Sequence, residues 1–65
     1  MFFLYSLDST GSLLYYKGTG YKGKLYLSRY LSKRVLRFET KEDAILELLK
    51  IEENCIMPFG IGEDI

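Results

Sequence analysis

The chain reads as a small α+β domain: a small antiparallel sheet of three to four strands packed against one C-terminal helix. Three observations lead there. Before Thr40, short runs rich in Phe, Tyr, Leu and Val are broken by Gly- and Ser-containing turns. From Thr40 the apolar pattern changes to helical spacing. Strands precede the helix and the connections are short, an order suited to a sheet with a helix on one face.

The first strand is expected over residues 2–7, closing at the turn formers Asp8-Ser9-Thr10-Gly11. A second apolar run, residues 12–17, follows at once, so the two predict a hairpin with a loop of about four residues. Gly18, Gly20 and Gly23 then interrupt the chain. Residues 24–31 alternate: Leu25, Leu27 and Leu31 fall on one face, while Lys24, Tyr26, Ser28 and Tyr30 fall on the other. A turn near Ser32 and Lys33 leads to a fourth expected strand, residues 34–39, where Leu36 and Phe38 alternate with Val35 and Arg37.

The helix is predicted over residues 41–53. Thr40 is suited to the N-cap, Glu42 and Asp43 place negative charge in the first turn, and Pro58 forbids continuation. Ala44, Ile45, Leu48 and Leu49 supply the apolar stripe, and Leu46 and Ile51 widen it beyond what one sheet covers. That surplus implies a second contact. The tail, residues 54–65, is apolar between its glycines and is expected to pack on the domain or on another chain. At 65 residues the chain forms one thin-cored domain, and homodimerisation is an expected source of extra stability.

Several chemistries are excluded by inventory. With no His and one Cys, neither an ordinary Cys/His zinc site nor an intrachain disulfide is available. The serines have no imidazole to activate them, and Cys55 has no evident base beside it, so it is expected as a partly buried small apolar residue. No enzyme, cofactor or catalytic residue is expected. The opening Met1-Phe2-Phe3-Leu4-Tyr5 lacks the basic flank of a signal peptide, no run is long enough to span a membrane, and a cytoplasmic protein is expected. Gly18-Thr19-Gly20-Tyr21-Lys22-Gly23 matches the G-x-G-x-x-G pattern, but a strand follows it where a dinucleotide fold needs a helix.

What remains is charge. Residues 1–38 carry seven cations and one acid, and residues 39–65 carry two cations and eight acids, so a net charge of zero conceals a strong dipole. Five of the six tyrosines lie between Tyr15 and Arg37, among most of the cations. Two binding functions compete for this pattern. In the favoured one the chain engages another protein, with Lys24, Tyr26, Tyr30 and Arg37 on the sheet and Glu42, Leu46 and Glu47 on the helix as contact residues. In the alternative, Lys22, Lys24, Tyr26 and Arg37 meet a nucleic acid, the rings stacking on bases and the cations on phosphates.

The segment Arg34-Val35-Leu36-Arg37-Phe38-Glu39-Thr40-Lys41-Glu42-Asp43-Ala44 resembles the strand-to-helix junction of AP2-like arm-binding domains of phage integrases, through Phe38, Thr40, Glu42 and Ala44. That resemblance implies a three-stranded sheet on one helix and DNA contact through the sheet. In size and style the whole chain is similar to small phage-encoded accessory proteins, which implies a binder and inhibitor of a host factor.

Overall fold

The computed structural model describes residues 1–54 and 58–64. Phe2–Leu7 forms β1, Leu13–Thr19 β2, Leu25–Ser28 β3, Lys41–Asn54 α1 and Gly60–Glu63 β4. The strands make one antiparallel sheet in the order β3-β2-β1-β4, with α1 packed on one face. The small α+β architecture expected from the sequence is the one observed.

Alternation decides what each face buries. Leu4 and Tyr16 point toward α1 and are buried with Ala44 and Ile51. Phe2, Leu25, Leu27, Phe38, Leu48, Phe59 and Ile61 close around them. Phe3, Tyr5, Leu7, Leu13 and Tyr15 occupy the alternate positions and therefore point to the helix-free face. There the Phe3 ring meets Tyr15 edge-on at 5.7 Å and Tyr5 at 6.3 Å.

The β1–β2 turn is built on Asp8. One carboxylate oxygen accepts the Thr10 N–H (2.9 Å), the Thr10 hydroxyl (2.6 Å) and the Ser12 N–H (2.9 Å). Gly11 supplies the left-handed backbone, φ 87°, that closes the loop. The other oxygen accepts from Arg29 at 2.9 Å. Hydrogen bonds, Thr10's hydroxyl foremost, hold this carboxyl well below its usual range.

Thr40 caps α1 as expected, its hydroxyl oxygen accepting the Asp43 N–H at 3.2 Å. The inward positions are Ala44, Glu47, Leu48 and Ile51, so the stripe is rotated from the one read in the sequence. Ile51 belongs to the core, while Ile45 and Leu49 face outward with Leu46. Glu47 points inward because Tyr16 gives it a partner: the buried phenol donates to its carboxylate at 2.6 Å and contacts the Thr19 hydroxyl at 2.5 Å.

Two expected elements are corrected. Residues 34–39 do not form a strand. The β1–β2 ladder ends at Tyr5↔Tyr15, β2 then bulges between Tyr16 and Gly18, and it continues with β3 alone. Residues 36–38 reach both parted strands: the Leu36 N–H donates to the Tyr16 carbonyl, and Phe38 makes a single antiparallel bridge with Phe2. The Arg37 guanidinium binds the carbonyls of Ser32 and Val35, which folds the segment back on itself. The third strand is also shorter than expected. It ends at Ser28, whose hydroxyl exchanges hydrogen bonds with the Tyr30 backbone, and Leu31 is exposed rather than aligned with Leu25 and Leu27.

The tail supplies the fourth strand. Gly60–Glu63 pairs with β1 from Phe2↔Glu63 to Tyr5↔Gly60, so this part packs in cis. Ile61 faces the core, while Gly60 and Gly62 lie under the rings of Tyr5 and Phe3. A Cβ at Gly62 falls 2.5 Å from the Phe3 ring tip, which is why a residue with little strand preference stands in a strand here. The expectations for Cys55, Ile56 and Met57 lie outside the described residues.

Candidate functional site

Two surfaces retain unspent chemistry. The first is the outer face of α1. At 100° per residue, Glu42, Leu46, Leu49 and Glu53 project within one narrow sector, with Ile45 and Glu52 on one flank and Asp43 and Lys50 on the other. Leu46 is 60% exposed and Leu49 53%. The result is a short apolar island with acid at both ends.

The second surface runs along β3, an edge strand, and the turn before it. Tyr21 is 83% exposed, Tyr26 46% and Tyr30 78%. Lys22 carries its ammonium 5.5 Å from the centre of the Tyr21 ring, and Lys24 sits 5.8 Å from that of Tyr26. The glycine-rich segment shapes this turn. Gly18 and Gly23 take positive φ, and a one-turn 3-10 helix, Tyr21–Gly23, carries Lys22 at φ 58°. Gly20 has another role: a Cβ there collides with the Tyr26 ring, so the ring lies across its backbone. No helix follows, so the G-x-G-x-x-G pattern serves a turn between strands.

Sequence reasoning named seven protein-contact residues, and the fold sorts them. Lys24, Tyr26 and Tyr30 share the β3 surface, joined by Lys22 from the nucleic-acid set. Glu42 and Leu46 share the outer helix face. Glu47 does not stand with them, because its carboxylate is committed to Tyr16. Arg37 stands apart from both surfaces: besides the two loop carbonyls it donates to Asp64 at 2.8 Å, clamping residues 32–37 to the end of β4. Ile45 and Leu49 were assigned to the core stripe. Glu47, one charged residue inside the inward arc, hides the difference between them and the core residues Ala44 and Ile51.

The Tyr16 phenol is a buried titratable group that folding alters strongly. Burial first, and then its hydrogen bond to Glu47, push its pKa up to about 12. It stays protonated across the physiological range and donates to Glu47, which ties α1 to the sheet. A shallow groove lined by Tyr5, Ser6, Leu7, Pro58, Phe59 and Gly60 carries the hydroxyls of Tyr5 and Ser6, and that of Ser6 is already donated to the Pro58 carbonyl at 2.5 Å. Among the described residues no helix is long and apolar enough to cross a membrane.

Compared with protein-family models, with curated proteins and with solved structures, the chain matches none.

Proposed function

We propose that the chain is a non-enzymatic binding module whose partner is another protein, docked on the outer face of α1. One observation carries this reading: Ile45, Leu46 and Leu49 are exposed together on a helix whose opposite face already fills the core. A small domain that leaves three aliphatic side chains on one helix sector has a contact for them. The rim selects the partner. Glu42, Glu52 and Glu53 favour an apolar segment flanked by Lys or Arg and repel an acidic one. A host factor with such a basic-rimmed apolar site fits, in the manner of an inhibitor that covers a working surface. Homodimerisation is compatible with the same island.

The test is a photo-crosslinking residue at position 46, used in cells and followed by mass spectrometry. The expected product is a heterologous protein joined through a basic surface segment and lost when Ile45→Asp is added. A product of twice the chain's mass replaces the foreign partner with a second copy. A crosslinker at position 46 that captures only abundant bystanders ends the proposal.

A further inference from the structure

We infer that the β3 edge is a second, independent site that binds single-stranded nucleic acid. The first argument is charge. From Ser9 to Phe38 the chain contains no acidic residue and seven cations. Arg29 is paired with Asp8 and Arg37 with Asp64. Lys17, Lys22, Lys24, Lys33 and Arg34 have no carboxylate within ion-pair distance among the described residues. The anions that balance the formal charge lie mostly on α1 and the tail, and the inward Glu47 is already bonded to Tyr16. A zero net charge therefore does not prevent a locally cationic edge from meeting a polyanion.

The second argument is the pairing of two exposed rings, each with its own cation. Tyr21 carries Lys22, and Tyr26 carries Lys24. Such a pair matches one nucleotide: the base stacks on the ring, and the displaced ammonium moves the short distance to the phosphate. Tyr30, fixed by the Ser28 hydroxyl just after the strand, offers a third ring. Stacking needs bases free of their complements, so the occupant is a single strand and not a duplex. The aromatic cluster on the sheet's open face is unsuited to this role, because Phe3 is buried against Tyr5 and Tyr15.

The test is fluorescence anisotropy of the full chain with labelled single-stranded DNA, single-stranded RNA and duplex DNA, with heparin as a base-free polyanion competitor. Either single strand is expected to bind more tightly than the duplex. If about four phosphates are neutralised, affinity falls about 50-fold between 50 and 200 mM salt. Tyr26→Ala and Tyr21→Ala are each expected to weaken binding about tenfold with circular dichroism unchanged. Lys24→Gln lowers the salt dependence. Ile45→Asp leaves binding intact, so failure here is distinguishable from failure of the protein-docking site. No binding at 50 mM salt overturns the inference. So does heparin competing at equal charge while both tyrosine variants bind normally, since that describes charge without stacking. A preference for the duplex, or retention by an acidic peptide alone, overturns it equally.

Discussion

At one edge of the sheet, β4 lays Gly60 and Gly62 beneath the rings of Tyr5 and Phe3 and runs into Glu63 and Asp64. At the other, Gly20 lies beneath the ring of Tyr26, which carries the Lys24 ammonium 5.8 Å from its centre. Both edges use the same local device, an aromatic ring resting on a glycine. What differs is the far side of the ring. Phe3 is walled by Tyr5 and Tyr15 and is buried, so its glycine is part of the packing. Tyr26 is nearly half exposed, so its glycine presents a ring to solvent. Packing beyond the first contact separates a ring that stabilises from a ring available to bind.

The largest expected difference between inner and edge tyrosines comes from truncation. Tyr16 is fully buried on the inner strand β2, and Tyr16→Ala removes its ring and leaves Glu47 without its phenol partner. A cost of about 3–5 kcal/mol follows, which is most of what a 65-residue domain has. Tyr26→Ala is expected to cost under about 0.5 kcal/mol, as for an exposed site. Urea titration of both variants measures the contrast, and equal midpoints would erase it.

A second contrast is confined to alkaline solution. The folded Tyr16 phenol has a pKa of about 12, whereas an unfolded tyrosine titrates near 10. The native state holds this proton more tightly, so its contribution is complete below pH 10 and is lost as pH rises toward 12. The full loss is about 3 kcal/mol, roughly half of it reached by pH 11. Tyr16→Phe should flatten that fall, and Tyr26→Phe should leave it unchanged. Unfolding free energies measured at pH 9 and pH 11 decide the matter; parallel losses in both variants would mean that Tyr16 is not the group responsible.

The strands and helix were legible in the sequence where one physical signal dominated. Thr40 as a cap, the alternation from Lys24 to Ser28 and the turn at Asp8 each match the structure. The errors share another cause: a tertiary partner outweighed the local pattern. Leu36 and Phe38 alternate as a strand does, yet the bulged β2 leaves them no ladder to join. Gly60 and Gly62 argue against a strand, yet two rings from β1 require those positions to lack side chains. Glu47 looked like surface charge until Tyr16 was brought beneath it. The candidate surfaces were half legible for the same reason. Exposure of Tyr26 and Leu46 followed from alternation and surplus, whereas Arg37 was removed from the set by carbonyls in its own loop.

The sharpest probe of the two edges is one substitution made at both. Gly62→Ala drives a methyl to 2.5 Å from the Phe3 ring, which cannot swing away because Tyr5 and Tyr15 confine it. Overpacking of this kind costs about 1–3 kcal/mol, and in so small a domain each kcal/mol lowers the melting temperature by about 4–8 °C. Gly20→Ala produces an equally severe clash with Tyr26, but this ring borders solvent and is free to rotate outward. Gly20 has φ −102°, which alanine adopts without strain. The melting temperature of Gly20→Ala should therefore change by no more than about 2 °C, in keeping with an exposed site. The displaced Tyr26 ring should still be visible, as a shift in its aromatic proton resonances and as weaker single-strand binding. A Gly20→Ala protein that melts as early as Gly62→Ala would make the β3 edge part of the packed structure and remove the distinction between the two rings.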